Sequence, residues 1–428
     1  MAEYPTMRDS GIDWIGAIPF AWETHTLYQL VTQVKNKNSD LSEQNLLSLS
    51  YGKIKRKDIN SNGGLLPESF NGYNIIEDGD IVLRLTDLQN DHTSLRVGRT
   101  TERGIITSAY TTLRPISKES SKYLYYLLHA FDLKKGFYGM GSGVRQGLNY
   151  DEVKELRVIL PSEAEQSSIA AYLDEQCAKI DALIEEARAS IEEYKQWKAS
   201  LIFEAVTKGL DQNVEMKDSG VEWIGQIPID WVSFKLRTCF DEIGSGTTPK
   251  SDIDEYYNGE FYWLQSGDIN GGLVANTTKT VNAIALDRFS ALKIYRAPFI
   301  AVAMYGASIA NTSIVTIDAC TNQACCVLSK PIKNINYEYV FYTILAAKEE
   351  LLLSARGGTQ PNISQEILKQ LHIPIPPLNC QNEIAKYLTK KCFEIASITE
   401  EKQDLITDLE AYKKSLIFEA VTGKRKVV

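Results

Sequence analysis

One stretch of this chain occurs twice, and it is a stretch that admits few folds. Gln166, Ile169, Ala170, Tyr172, Leu173, Cys177 and Ile180 return as Gln381, Ile384, Ala385, Tyr387, Leu388, Cys392 and Ile395, a constant offset of 215 residues. Both copies close on the same eight letters, SLIFEAVT, at Ser200–Thr207 and Ser415–Thr422. Neither Pro nor Gly occurs from Glu163 to Thr207 or from Leu378 to Thr422. Nothing therefore breaks a helix over about 45 residues, roughly 65 Å at 1.5 Å per residue. Apolar residues recur at heptad spacing: Leu173, Cys177, Ile180, Ile184, Ile191, Tyr194 and Leu201 in the first copy, and Leu388, Cys392, Ile395, Ile406, Leu409 and Leu416 in the second. Thr399 and Lys402 interrupt the second seam. A helix of that length with an apolar stripe needs a partner, and the nearest candidate is its own copy.

A second repeat opens each half. Asp9-Ser-Gly-Ile-Asp-Trp-Ile-Gly-Ala-Ile-Pro-Phe-Ala-Trp22 matches Asp218-Ser-Gly-Val-Glu-Trp-Ile-Gly-Gln-Ile-Pro-Ile-Asp-Trp231. Two glycines, a proline and tryptophans predict a compact irregular apolar motif built for packing rather than for stacking on bases. Each half is thus an opening motif, a globular region and a long helix. The boundaries fall at 1-161 for the first globular domain, 162-209 for the central helix, 210-377 for the second globular domain, and 378-428 for the distal helix with a basic tail.

The first globular region alternates like a sheet and is punctuated by turns at Ser61-Asn-Gly-Gly64 and Glu77-Asp-Gly-Asp80, before the strand Ile81–Leu85. Its bases cluster at Lys53, Lys55, Arg56 and Lys57 and at Arg84, Arg96, Arg99 and Arg103, with Gln89, Asn90, His92, Thr107, Ser108 and Tyr110 among them. Arg, Lys, Asn and Gln are the side chains that hold phosphates and make paired hydrogen bonds to base edges, so the cluster points to nucleic acid. Taken singly, each is an ordinary surface residue.

A helix over 120-136 leads to Gly136-Phe-Tyr-Gly-Met-Gly-Ser-Gly-Val-Arg-Gln-Gly147, where Ser142, Arg145 and Gln146 are candidates. The second half keeps the order: a helix near 337-353, then Ala355-Arg-Gly-Gly-Thr-Gln-Pro-Asn-Ile363, with Arg356, Thr359, Gln360 and Asn362. Each Gly-rich loop passes through a short helix to an apolar strand, Leu156–Leu160 or Leu371–Ile375. Such loops either let the backbone approach a phosphate or simply turn the chain. Further candidates in the second region are Ser245, Thr247, Thr248 and Lys250 in Gly244-Ser-Gly-Thr-Thr-Pro-Lys250, then Tyr305, Ser308, Asn322 and Gln323. The middles of the two halves diverge while their ends repeat, as two readers of different targets on one frame should.

Net charge is −9, which argues against a nucleic-acid partner until its location is considered. Residues 163-207 carry 10 acids and 4 bases and residues 378-422 carry 8 and 6, so the long helices account for nearly all of the excess. Residues 1-162 balance at 19 and 19. The acidic helix faces are directed to solvent or to a protein partner, leaving the globular regions free to meet DNA.

Several chemistries have no motif here. Pro249 stands where a phosphate-binding loop needs Gly before its Lys. Gly139, Gly141 and Gly143 follow a helix where a dinucleotide fingerprint requires a strand. The Pro376-Pro377 pair lacks the flanks of an amino-methyltransferase site, Glu152-Val-Lys154 lacks a nuclease partner, and four scattered histidines imply no metal. Seven cysteines without metal-like spacing, no apolar run of membrane length and no secretory leader predict a cytoplasmic protein.

The twin helices, the SLIFEAVT endings, the paired W-I-G-x-I-P-x-x-W openings and Gly244–Lys250 together resemble the specificity subunit of a type I restriction-modification system, over essentially the whole length. The resemblance implies an α+β fold with an internal pseudo-two-fold repeat: two β-rich target-recognition domains separated by two long antiparallel coiled-coil helices. It implies a non-catalytic DNA-binding subunit that reads a bipartite double-stranded target, one domain per half-site, and docks two modification (methyltransferase) subunits on its helices. Restriction (ATP-dependent translocase/nuclease) subunits complete such a complex, and S-adenosylmethionine, ATP and magnesium belong to the partners, with no cofactor on this chain. The alternatives are a self-contained DNA methyltransferase or nuclease, which needs the motifs just excluded, and a purely protein-binding helical adaptor, which leaves the two divergent β domains unexplained.

Overall fold

The computed structural model describes residues 4–427 other than 60–66, 68, 92, 141–146, 212, 251–253 and 356–360. Its two dominant elements are the central helix, Glu163–Lys208, and the distal helix, Leu378–Val421. The chain forms two compact units, Met1–Arg188 with Gln403–Val428, and Ala189–Lys402. Each unit therefore holds one β-rich region, the first part of the helix that follows it and the last part of the other helix.

In the first unit the two helix segments run antiparallel. Asp181 pairs with Lys413 at 2.6 Å and Arg188 with Glu410 at 3.1 Å, so one index rises as the other falls. Leu173, Cys177, Ile180, Ile184, Ile406 and Leu416 are buried along the seam, and Leu409 is half-buried. In the second unit Leu388 and Ile395 are buried, while Ile191, Tyr194, Leu201 and Cys392 are half-buried. Both interruptions of the distal seam are accommodated there: Thr399 Oγ1 donates to the carbonyls of Ile395 and Ala396 in its own helix, and the Lys402 ammonium lies 6.0 Å from the Tyr194 ring centroid.

The sheets repeat although their sequences do not. The first unit has a four-stranded antiparallel sheet in the order Val31–Gln33, Thr111–Pro115, Ile81–Leu83, Val97–Arg99. The second has Phe240–Gly244, Cys325–Pro331, Phe299–Ala303, Thr312–Val315 in the same order, extended by Leu273–Val274 in parallel. The innermost strands, Ile-Val-Leu and Phe-Ile-Ala-Val-Ala, are buried along their whole length, as unbroken apolar runs require. The hairpin of Leu47–Ser50 with Lys53–Arg56 and the antiparallel pair of Asn74–Ile76 with Gly104–Ile106 complete the first unit. A three-stranded sheet around the buried Trp263 completes the second. The Gly-rich segments are flanked as the sequence predicts, by helix Ser121–Leu133 and strand Arg157–Leu160, and by helices Tyr337–Ala346 and Lys348–Leu353 and strand His372–Ile375. No described helix is long and apolar enough to cross a membrane.

The two octapeptides end in the same closure. The last four carbonyls of a helix lack intrahelical partners. Tyr123 donates its hydroxyl to Val421 O at 3.0 Å and Ile159 O at 3.3 Å, and Tyr339 does the same to Val206 O at 3.1 Å and Pro374 O at 2.9 Å. Both tyrosines are fully buried, and burial pushes their phenols well above the usual range. Gly423 (φ +71°) and Gly209 (φ +80°) end the two helices in left-handed conformation. Each lies against a tryptophan of an opening motif, Trp22 or Trp231. The opening motifs are thus packing elements: Trp22 donates to Glu165 Oε1 at 3.2 Å, and Trp223 to His372 O at 3.1 Å. The basic tail is tied down in the same place, Lys424 Nζ to Ile15 O at 2.8 Å and Arg425 to Glu419 at 2.8 Å.

Removing a buried hydroxyl that seals two carbonyls leaves those acceptors unpaired, which costs about 1–3 kcal/mol. Tyr339→Phe should lower stability by that amount in denaturant unfolding. Tyr337→Phe, at a half-buried neighbour, should stay within about 0.5 kcal/mol of the parent.

Candidate nucleic-acid interface

Residues far apart in sequence meet at one end of each inner strand. In the second unit, Ile363 N donates to Met304 O at 2.7 Å, which brings the end of the Gly-rich segment to the end of strand Phe299–Ala303. Tyr305 and Asn362 form an isolated bridge beside it. Ser245 accepts from Gln365 Nε2 at 2.7 Å, and Thr248 donates to Gln323 Oε1 at 2.5 Å. Gly246 passes so close to Thr321 that a Cβ there would collide with its carbonyl, so this approach admits only glycine. A cleft of about 730 Å³ opens among Met304, Tyr305, Gly306, Asn362, Ser364 and Gln365. Tyr305, Gln323, Thr248, Lys250 and Asn362 are exposed, and Ser245, Thr247 and Ser308 are half-buried. Polar side chains with both donors and acceptors, held on a rigid strand end, can contact base edges and phosphates.

The first unit uses the same seat. Leu148 N donates to Leu85 O at 2.9 Å, just past strand Ile81–Leu83, and Asn149 caps the short helix Tyr150–Val153 as Ser364 caps Gln365–Gln370. Arg84 is half-buried there, and Gln89 and Asn90 are exposed, Asn90 donating to Asp87 Oδ1 at 2.8 Å. Lys53, Lys55 and Arg56 project from the strand Lys53–Arg56, with Lys57 just beyond it, and all four are exposed. Ser108 is exposed in a turn that Thr107 closes by accepting from Ala109 N at 3.3 Å, while Tyr110 is half-buried against the core. His92, Ser142, Arg145, Gln146, Arg356, Thr359 and Gln360 lie outside the described residues.

Three features of the clusters depart from the sequence reading. Arg96 is fully buried, its guanidinium enclosed by main-chain carbonyls, so it does not reach the surface in this fold. Asn322 is buried too, its side-chain oxygen accepting from Ala324 N at 3.0 Å. Much of the remaining arginine charge is spent within the protein: Arg56 on Glu102, Arg99 on Asp78 and Ser121, and Arg103 on Glu43 and Glu77. Lys55 and Lys57 are exposed beside them, while Lys53 lies 4.0 Å from the Asp181 carboxylate. Gln365 is a site residue that the sequence does not mark. Gln365 sits at the first turn of a helix, and its side chain reaches Ser245.

Two features outside this face are structural. Glu152 accepts from Asn149 N at 2.9 Å and Lys154 pairs with Asp151 at 2.7 Å, which makes the Glu-Val-Lys run a capping box and its neighbour. Burial raises the thiols of Cys177 and Cys239 to about 11 and those of Cys320 and Cys326 to about 12, so they remain protonated at neutral pH.

The family model for the type I restriction modification DNA specificity domain matches twice, at residues 19–193 and 228–407. The chain belongs to that family. Its function is DNA specificity in a type I restriction-modification system. The putative type I restriction enzyme MjaX specificity subunit of Methanocaldococcus jannaschii is 27% identical over 323 residues, covering 74% of this chain and 71% of that protein. The EcoR124I/EcoR124II specificity subunit of Escherichia coli is 25% identical over 296 residues, 66% of each. A chain from a solved structure on complex assembly and conformational transition of the type I restriction-modification system shares the fold at TM-score 0.71. It is 15% identical, with 94% of this chain and 98% of that one covered. The HsdS subunit from Thermoanaerobacter tengcongensis superposes at TM-score 0.52 and 14% identity, over 95% and 98%.

Beneath the first specificity domain's loop, Asp132 accepts from Arg96 N at 2.6 Å, and its Oδ1 has no hydrogen-bond partner among the described residues. Burial raises this carboxyl from 3.8 to about 6 against the pull of the Arg96 N–H and nearby cations, and burial lowers His129 from 6.5 to about 4. A raised folded-state value means that the Asp132 contribution is present below pH 3.8 and lost as pH rises through 6. The depressed His129 acts oppositely, its contribution present above pH 6.5 and lost as pH falls through 4. Asp132→Asn removes only the first effect. Between pH 4 and 7 the variant should gain on the order of 3 kcal/mol relative to the parent in urea unfolding. Parallel stability curves would contradict the assignment.

Proposed function

We propose that the first unit reads one half of a split double-stranded DNA target and the second unit reads the other. The reading surface is the seat at the end of each inner strand. One observation carries this: two sheets share their strand order and the same main-chain link to a Gly-rich segment, while the loops that follow the linked strand differ, Thr86-Asp-Leu-Gln-Asn-Asp91 against Tyr305-Gly-Ala-Ser-Ile-Ala310. A constant frame with variable contacts is what two specificities on one scaffold need.

The long helices serve protein partners on this reading. Glu185, Glu186, Glu192 and Glu193 are exposed on the central helix, and carboxylates facing phosphate repel it. Apolar side chains exposed on the same helices, Leu183, Trp197 and Phe393, suit two methyltransferase subunits instead. Methyl transfer from S-adenosylmethionine, and ATP- and magnesium-dependent translocation and cleavage by restriction subunits, then belong to those partners, and this chain contributes no catalytic group. The setting is the cytoplasm, where the DNA and the partner subunits are.

Exchanging residues 24–155 for the matching region of another specificity subunit should change one half of the methylated target and leave the other half intact. A change in both halves, or in neither, in an assembled and active complex would refute the assignment of one unit to one half-site.

A further inference from the structure

Arg96 carries a charge into the interior of the first unit, where an unpaired guanidinium would cost several kcal/mol. Its donors are directed almost wholly at one loop. Nη1 donates to Thr86 O at 2.9 Å, Nη2 to Asp87 O at 3.4 Å and to Asp91 O, and Nη2 lies 3.6 Å from the Asp91 carboxylate. Nε donates to the Tyr138 hydroxyl at 3.2 Å, and that hydroxyl donates to Asp91 O at 2.9 Å. The Arg96 main chain is fixed at both ends, N to Asp132 Oδ2 at 2.6 Å and O accepting from Arg84 N at 2.9 Å. The loop so gathered, residues 86–91, carries Gln89 and Asn90 exposed on its outer side and holds Asp87 at φ +58°. Asp is among the residues that adopt this left-handed conformation most readily, and Asn90 Nδ2 closes the turn by donating to the Asp87 carboxylate at 2.8 Å.

The second unit seats a different side chain at the equivalent position, and that side chain does not gather the loop. Asn311 stands at the position of Arg96, its carbonyl accepting from Ala303 N at 2.8 Å, and Lys348, in the place of Asp132, donates to Asn311 Oδ1 at 3.0 Å. The Asn311 amide donates instead to Ile269 O at 3.3 Å, outside the loop 304–310, which is shorter than 85–95 in the first unit.

We propose that Arg96 is a positioning residue for base readout: by collecting the inward carbonyls of loop 86–91 it presents Gln89 and Asn90 in one geometry and so sets sequence preference in the half-site of the first unit. The proposal rests on that loop being a DNA-reading segment. The guanidinium has five donors in a fixed planar fork and holds three carbonyls and the Tyr138 hydroxyl in one geometry, whereas a lysine ammonium has three donors on a flexible stem. Displacing a base-contacting side chain forfeits discrimination at one position while leaving phosphate contacts alone.

The test uses the full chain assembled with its methyltransferase partners and a library of duplexes carrying single-base changes across both half-sites. In the Arg96→Lys complex, discrimination at one or two positions of the first unit's half-site should fall about tenfold. The other half-site, affinity for non-target duplex and the salt dependence should be unchanged. Tyr138→Phe, which removes one hydroxyl from the hub, should give the same pattern more weakly, and it decides the matter if Arg96→Lys does not fold. Full discrimination in either folded variant, or equal loss in both half-sites, would overturn the proposal. A parent complex that shows no base preference would overturn the DNA-reading assignment itself.

Discussion

The structure depends on how the C-terminal ends of two long helices are closed. A helix of more than 40 residues ends in carbonyls that its own backbone cannot satisfy. Here a buried tyrosine, a left-handed glycine and an opening-motif tryptophan close each end: Tyr123, Gly423 and Trp22 in one unit, and Tyr339, Gly209 and Trp231 in the other. Because each helix starts in one unit and ends in the other, the same closure that finishes a helix also completes a core. The two SLIFEAVT copies meet the same surroundings: Ile202, Ala205, Val206 and Thr207 are buried at one end, and Ile417, Ala420, Val421 and Thr422 at the other.

That constraint separates what is held constant from what is free to vary. Helix ends, opening motifs and the strands Arg157–Leu160 and His372–Ile375 pack on one another and repeat. Sheet interiors need only apolar residues of suitable volume, so Ile-Val-Leu and Phe-Ile-Ala-Val-Ala occupy equivalent strands without resembling each other. Loops at the strand ends answer to neither demand. They are where Gln89 and Asn90 on one side, and Tyr305 and Gln323 on the other, carry different hydrogen-bonding patterns on a common seat.

The helices were legible in the sequence because an apolar stripe sustained without Pro or Gly has few other meanings, and the seam residues from Leu173 to Ile184 are indeed buried. The shared sheet order was not legible. Strand pairing is set by contacts across long sequence separations, and short strands such as Val31–Gln33 or Val97–Arg99 leave no periodic signal. The candidate contacts were legible as residue types but not as environments. Arg96 and Arg103 read alike in the sequence, yet one is enclosed by carbonyls and the other is paired on the surface with Glu43 and Glu77. Composition names the donors available; only the fold says which of them are already in use.

The central claim is that one chain carries two independent DNA readers on a repeated frame. Sequencing of methylated adenines in cells that carry this subunit with its partner subunits tests it most directly. The account predicts a bipartite motif: two short specified segments separated by a gap of constant length in which no base is specified. A single contiguous motif, or methylation without sequence preference, would contradict it.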